Sequence, residues 1–231
     1  AWTSRNVTPH RNADYAIVTI SLKREGVAPG DATADEMDAI ASIADRFSSS
    51  ELRVAHTQNL VLPHVPKAKL VALWEELESL NLARGNVGLA SDIICCPGGD
   101  FCSLANAKSI PLSAQIAERL APIEDDLGPL AIKVSGCINA CGHHHVGHIG
   151  ILGVEKKGEE FYQITLGGSG DEQASIGEIL GPGFSSEGIV DAVETVVDTY
   201  MKVRSGPDET FLAAYRRLGK APFKEALYGA A

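Results

Sequence analysis

The chain has 231 residues, of which 45% are hydrophobic and 22% charged, a composition typical of a globular protein with a sizeable core. Its 30 acidic and 20 basic residues give a net charge of −10, which repels nucleic acid and anionic membranes. No apolar run approaches the ~20 residues of a membrane span and no secretory leader is recognisable, so we expect a cytoplasmic protein that binds neither nucleic acid nor a membrane.

The first predicted elements are a strand and a helix. Residues 15–22 alternate apolar and other side chains, which indicates a half-buried strand. A capping box formed by Thr33 and Glu36 predicts the start of a helix that continues to Phe47. Its apolar stripe consists of Met37, Ile40, Ala41, Ala44 and Phe47.

A strand pair and a second helix follow. Residues 51–57 and 59–63 read as two short strands, and Pro66 is predicted to open the helix as a first-turn proline. The apolar stripe of this helix consists of Leu70, Leu73, Trp74, Leu77 and Leu80. Helices on one face of a small antiparallel sheet predict an α+β domain over residues 1–90.

The second domain is predicted over residues 91–231. Its predicted elements are a helix from Pro111 to Leu120, a strand at 130–135, strands at 149–154 and 161–167 joined by a tight turn at Lys157-Gly158, and helices at about 186–204 and 207–218.

Four cysteines in this domain form two pairs, Cys96-x5-Cys102 and Cys137-x3-Cys141, set among glycines. Structural zinc sites usually space paired cysteines by two to four residues, so the first pair is wide for zinc. A [4Fe–4S] cluster is larger than one ion and tolerates wider spacing. The spacing favours an iron–sulfur cluster, while a zinc site and unligated structural cysteines remain alternatives.

A fifth cysteine and a run of histidines lie beside the two cysteine pairs. An odd cysteine count excludes a complete disulfide framework, and Cys95 is expected to be a small buried hydrophobic residue. His143, His144, His145 and His148 follow the second pair closely. They are candidates for zinc ligation, for proton relay or for packing.

The cysteine segments resemble a known family. The sequences CCPGGDFCSLANAKS and SGCINACGHHHVGHIG are similar to the C-terminal half of assimilatory sulfite and nitrite reductase haemoproteins, particularly their bacterial sulfite-reductase-like branch. The segment ELRVAHTQNLVLPHV agrees with the strand pair of that family. The resemblance covers essentially the whole chain and implies a ferredoxin-like small domain followed by an α/β domain that binds sirohaem and a [4Fe–4S] cluster.

The resemblance also implies site residues. Cys96, Cys102, Cys137 and Cys141 would ligate the cluster, and Cys141 would share its sulfur with the sirohaem iron. Residues expected to face the macrocycle or its carboxylates are Asn139, Gln58, Asn59, Lys108 and Arg53.

The implied reaction is the six-electron reduction of sulfite to sulfide for cysteine biosynthesis, with electrons from a flavoprotein or ferredoxin. Nitrite reduction to ammonia is the alternative. In this family the basic residues that hold the substrate anion lie in an N-terminal half, and the charge of −10 agrees with their absence here. We therefore expect no catalytic residue within this chain and an inactive isolated chain, which leaves an inert iron–sulfur fragment as a further alternative.

Overall fold

A computed structural model describes residues 1–229 and divides into two compact units, Ala1–Val87 and a second that begins at Gly88. Each unit has its own sheet and its own hydrophobic core. The α-helices are α1 (Trp2–Asn6), α2 (Ala34–Phe47), α3 (Leu70–Ser79), α4 (Gly98–Phe101), α5 (Ile110–Leu120), α6 (Glu124–Leu127), α7 (Ile189–Val203), α8 (Phe211–Leu218) and α9 (Ala221–Tyr228). The strands are β1 (Val7–Pro9), β2 (Tyr15–Ile20), β3 (Arg53–Val54), β4 (Leu60–Pro66), β5 (Ile94–Cys95), β6 (Ile132–Ser135), β7 (Ile149–Lys156), β8 (Glu159–Leu166), β9 (Glu178–Ile179) and β10 (Phe184–Ser185).

The first unit is built on a four-stranded antiparallel sheet in the order β1-β2-β4-β3. Strand β2 forms where Ala16, Val18 and Ile20 alternate with half-buried residues, and all three side chains are buried. Helix α2 starts at the predicted capping box, which is confirmed. The Thr33 hydroxyl accepts from the Glu36 amide at 3.2 Å, and the Glu36 carboxylate accepts from the Thr33 amide at 2.8 Å.

Several details of the first unit differ from the sequence prediction: α1 and β1 were not predicted, the strand predicted at 51–57 is only Arg53–Val54, and Trp74 of the predicted α3 stripe is 39% exposed. Met37 is 44% exposed, whereas Ile43, which the predicted stripe omitted, is fully buried, so the buried face of α2 is rotated from the predicted one. Pro66 does not open a helix: it ends β4, and a 3₁₀ turn at Lys67–Lys69 separates it from α3, which begins at Leu70. Proline is tolerated there because the strand ends and no further ladder donor is needed.

The main sheet of the second unit has the order β10-β8-β7-β6-β5, and β9 pairs with β8. Strands β5, β6 and β7 are parallel, and β7 and β8 form an antiparallel hairpin. The predicted hairpin turn is confirmed: Lys157 and Gly158 have φ of +58° and +83°, as a two-residue turn with two left-handed positions requires.

The three helices predicted for the second unit are present, whereas the short helices α4 and α6 were not predicted. Helices α5, α7 and α8 occupy the predicted regions, and the predicted stripe of α7 is buried from Ile189 to Tyr200. Helix α9 was not predicted, although it buries Phe223 completely. Both units mix helices and sheets, which confirms the α+β class. Within residues 1–229, none of the helices combines the length and apolar character that crossing a bilayer requires.

Candidate metal centre

Two adjacent parallel strands bring the cysteine pairs together. Cys96 directly follows β5, and Cys137 follows β6 with only Gly136 between them. The strands are in register with Cys95 opposite Val134, and the Cys96 amide donates to the Val134 carbonyl at 3.2 Å. Because the carboxyl ends of parallel strands meet at one edge of a sheet, both pairs begin at the same edge, where α/β sheets usually bind ligands.

Backbone hydrogen bonds join the two cysteine segments. The Gly136 carbonyl accepts from the amides of Asn106 and Ala107 at 2.8 and 3.0 Å. The Ala107 carbonyl in turn accepts from the Gly99 amide at 2.9 Å, and the Cys102 amide donates to the Gly98 carbonyl at 2.9 Å. The segment that carries the first pair is therefore held against the segment that carries the second.

The close approach of these segments requires glycine at two positions. Gly98 has a φ of +59°, and a Cβ there would lie 2.4 Å from the Ser109 amide nitrogen. A Cβ on Gly136 would lie 2.6 Å from the Ala107 carbonyl oxygen and 2.9 Å from the Gly98 Cα. Any side chain at Gly98 or Gly136 would displace the neighbouring backbone, so this edge of the sheet requires glycine at both positions.

The four cysteine sulfurs differ in exposure. Cys96 and Cys137 are buried, each 8% exposed, Cys102 is half-buried and Cys141 is exposed. Within residues 1–229, no group of three or more His, Cys, Asp or Glu side chains is arranged to hold a single metal ion.

The Cys96 sulfur has polar neighbours that suit a metal-bound thiolate. The Gly136 amide donates to Cys96 Sγ at 3.1 Å, and Ser109 Oγ lies 3.4 Å from the same sulfur. Hydrogen bonds to a thiolate stabilise its negative charge. A set of cysteine sulfurs with an amide donor on a buried member is the chemistry that iron–sulfur clusters require, so the residues fit such a group.

The histidine run has mixed surroundings. His143 and His145 are exposed, whereas His144 is buried and its ring stacks on His145 at a centroid distance of 4.0 Å. His148 Nδ1 accepts from the Ala131 amide at 3.1 Å. Burial lowers the pKa of both His144 and His148 to about 4, so both are neutral at pH 7. These two rings therefore favour packing and hydrogen bonding over proton relay near neutral pH.

The remaining predicted site residues lie in both units. In the second unit Asn139 and Lys108 are exposed, and the Lys108 backbone is held by Tyr162, whose hydroxyl donates to the Lys108 carbonyl at 2.8 Å. In the first unit Gln58 is half-buried with a φ of +58°. Asn59 is buried, and its amide oxygen accepts from the Leu22 amide at 3.0 Å.

Arg53 already has a partner in the first unit: its guanidinium forms an ion pair with Glu51 at 2.5 Å. A sirohaem carboxylate at Arg53 would have to compete with this exposed pair. The roles of all these residues toward a macrocycle stay predictions.

Sequence reasoning missed Ser109 and Gly136, which contact the Cys96 sulfur. Ser109 precedes a proline-containing helix start and reads as an ordinary N-cap. In the sequence, Gly136 looks like an ordinary linker residue before Cys137. The signal available in the sequence was the pair of glycines, Gly98 and Gly136, because each lies where the backbone of one cysteine segment comes close to another segment.

Comparisons with known proteins agree with this site. Residues 10–80 match the family described as "Nitrite/Sulfite reductase ferredoxin-like half domain", and residues 91–226 match "Nitrite and sulphite reductase 4Fe-4S domain". The first match confirms the ferredoxin-like type of the small domain.

Several relatives cover most of the chain. It is 29% identical over 203 residues to a ferredoxin–nitrite reductase of Synechococcus elongatus, covering 85% of this chain and 39% of the relative. It is 30% identical over 203 residues to "Sulfite reductase [ferredoxin] 2" of Mycolicibacterium paratuberculosis, covering 82% and 36%. The chain thus spans less than two-fifths of the length of these curated relatives.

Solved structures show the same fold. The Mycobacterium tuberculosis NirA protein superposes with a TM-score of 0.76 at 24% identity, covering 94% of this chain and 41% of that one. A dissimilatory sulfite reductase I superposes with a TM-score of 0.77 at 15% identity, covering 94% and 70%.

Proposed function

The chain belongs to the nitrite and sulphite reductase 4Fe-4S family, and from this premise we propose that it supplies the cofactor-binding part of a sirohaem-dependent reductase of sulfite. Residues 1–90 would form the ferredoxin-like half-domain and residues 91–231 the domain that binds the [4Fe–4S] cluster and sirohaem. The observation that carries the proposal is the pairing of β5 with β6, which starts both cysteine pairs at one sheet edge.

The proposed ligand assignment is the one that the family resemblance implies, and the exposure of the cysteines agrees with it. Cys96, Cys102 and Cys137, which are buried or half-buried, would hold the cluster. Cys141 is exposed, so its sulfur is accessible to a second iron, as a shared ligand to sirohaem requires. When bound, the pair of cofactors supplies single-electron transfer and an open iron position for the substrate.

The chain's own residues would bind and orient these groups. Lys108 and Asn139 are exposed in the same unit as the cysteines and are available to polar groups of a macrocycle. Gln58 and Asn59 would contribute from the ferredoxin-like unit. Basic residues that hold the substrate anion would come from an N-terminal half of the same enzyme, because a chain of net charge −10 repels sulfite.

The names of the relatives support a choice of electron donor and leave two candidate substrates. Those compared above have names that specify ferredoxin, which supports ferredoxin over a flavoprotein as donor. Nitrite is the second candidate substrate, because ferredoxin–nitrite reductases are among relatives as similar to this chain as the sulfite reductases are. A cytoplasmic location is part of the proposal, because cysteines stay reduced in that compartment and are free to bind a metal.

Anaerobic expression with a sirohaem supply tests the proposal. About five iron atoms and four acid-labile sulfides per chain are the expected result, because extractable sirohaem adds one iron to the four of the cluster. Zinc without sulfide would overturn the iron–sulfur assignment, and a cluster without sirohaem would show an inert iron–sulfur module. Reduced methyl viologen with sulfite or with nitrite, supplied to the chain alone and to the chain joined to its N-terminal half, tests the substrate and the expected inactivity of the chain alone.

A further inference from the structure

Ser109 is an N-cap residue that does not cap its helix. It immediately precedes α5 and is fully buried, yet its side chain makes no capping hydrogen bond. Serine at this position normally accepts a hydrogen bond from an amide in the first turn, which stabilises the helix. Instead, Ser109 Oγ lies 3.4 Å from the sulfur of Cys96.

The space for this hydroxyl depends on glycines from both cysteine segments. A Cβ on Gly98 would lie 2.7 Å from Ser109 Oγ, and a Cβ on Gly136 would lie 3.1 Å from it. A side chain on either glycine would thus press on the hydroxyl from the segment of the first or of the second cysteine pair.

The same sulfur has a second donor in the Gly136 amide, at 3.1 Å. Within residues 1–229, none of the other three predicted ligands, Cys102, Cys137 and Cys141, has a hydrogen bond to its sulfur. Cys96 is also only 8% exposed, so water contributes little to its solvation. The hydrogen bonds that this buried sulfur makes among the described residues are therefore those with Ser109 and Gly136.

Metal binding fixes the direction of the hydrogen bond. A metal-bound thiolate carries no hydrogen and can only accept, so the Ser109 hydroxyl must donate to it. Reduction of an iron–sulfur cluster adds negative charge, part of which resides on the cysteine sulfurs. Donors to those sulfurs stabilise the reduced form more than the oxidised form and raise the reduction potential.

We propose that Ser109 is a positioning residue that raises the reduction potential of the cluster by donating a hydrogen bond to Cys96. The inference rests on the proposed function, in which Cys96 ligates a [4Fe–4S] cluster. It assigns the hydroxyl a redox role that neither the cysteine spacing nor the family match indicates.

The test is a potentiometric titration of the anaerobically loaded chain, followed by electron paramagnetic resonance. In Ser109→Ala the cluster potential should shift to a more negative value. Ser113→Ala is the matched control, because Ser113 lies one turn further along α5, is equally buried and has no hydrogen-bond partner. It should leave the potential unchanged, and Ser109→Thr, which keeps the hydroxyl, should stay near the wild-type value.

The outcomes separate this inference from the proposed function. A wild-type chain that binds no cluster overturns both. A loaded Ser109→Ala chain with the wild-type potential overturns only the role of Ser109, as does an equal shift in Ser113→Ala. If Ser109→Ala is folded by circular dichroism but retains no cluster, the Ser109→Thr variant decides the question. A wild-type cluster potential in Ser109→Thr supports the role of the hydroxyl. Loss of the cluster in both variants overturns that role.

Discussion

Cys95 and Cys96 are neighbours in the chain but belong to different parts of the second unit. Cys95 is 3% exposed and lies in the hydrophobic core, whereas the Cys96 sulfur accepts a hydrogen bond from the Gly136 amide at the sheet edge. Successive side chains of a strand point to opposite faces, which separates the two sulfurs. Of this double cysteine, Cys96 is the member whose sulfur lies at the sheet edge, beside the Gly136 amide.

This separation predicts opposite effects of two matched substitutions. Cys96→Ala should abolish cluster retention because a ligand is lost, as should Cys137→Ala. Cys95→Ala should retain the cluster and cost about 1–2 kcal/mol of stability from the lost buried sulfur. Iron and acid-labile sulfide per chain, measured after anaerobic desalting, check this, and equal loss in Cys95→Ala would show that the ligands are misassigned.

A methyl group at Gly142 should be far more costly than one at Gly158. A Cβ on Gly142 would lie 1.9 Å from the Val134 carbonyl oxygen, so we expect Gly142→Ala to lower the free energy of unfolding by about 3 kcal/mol or more. Gly158 has a φ of +83° with no atom near its Cβ position, so Gly158→Ala should cost only ~1–2 kcal/mol of backbone strain. Urea unfolding followed by circular dichroism compares the two, and equal losses would contradict the predicted clash.

The buried histidines predict that stability falls with acidification. Burial lowers the pKa of His144 and His148 to about 4, below the 6.5 of an unperturbed histidine. The unfolded chain therefore takes up protons first, and stability present above pH 6.5 is lost as the pH falls from 6.5 to 4. His144→Phe should make this loss shallower while folding normally at pH 7. Unfolding midpoints measured between pH 4 and 7 give the dependence of stability on pH for both chains. The same dependence in His144→Phe and in the wild type would show that His144 does not contribute.

The capping box of α2 predicts a separate acid-sensitive contribution in the first unit. The Arg24 guanidinium and the Thr33 amide lower the pKa of Glu36 to about 2, from 4.5. The stabilisation is present above pH 4.5 and is lost as the pH falls toward 2. Glu36→Gln should remove this pH dependence and lower stability at pH 7 by about 1–2 kcal/mol.

Tryptophan fluorescence is the appropriate probe for the Glu36 prediction. The only two tryptophans of the chain, Trp2 and Trp74, both lie in the first unit. Gly158→Ala, in the second unit, is the control and should leave the fluorescence transition unchanged. A Glu36→Gln chain with an unaltered transition from pH 2 to 7 would contradict the prediction.

Local patterns determined what the sequence could predict. The capping box at Thr33 and Glu36, the period of two at residues 15–22 and the Lys157-Gly158 turn each specify structure within a few residues, and each is confirmed. Pro66 was misread because proline suits both a helix start and a strand end, and only the pairing of β4 with β2 decides between them.

Long-range relationships set the limit of prediction at the site. The sequence marks the four cysteines, and it cannot show that β5 and β6 are neighbours or that Ser109 turns toward Cys96 instead of capping α5. Those contacts depend on residues that are distant along the chain. The family resemblance supplied the cofactors, but it contained no information about which donors surround each sulfur.

The Gly136 carbonyl accepts hydrogen bonds from the amides of Asn106 and Ala107, so the first cysteine segment can be held in place only after Gly136 has been synthesised. Gly136 leaves the ribosome roughly thirty residues after Ala107, a delay of a few seconds at ~5–20 residues per second. Until then the loop that carries Cys96 and Cys102 has no partner strand to hold it. A cluster that needs both cysteine pairs at this edge would therefore have to wait until the chain has been made as far as Cys141, and iron delivered earlier would meet only one of the two pairs.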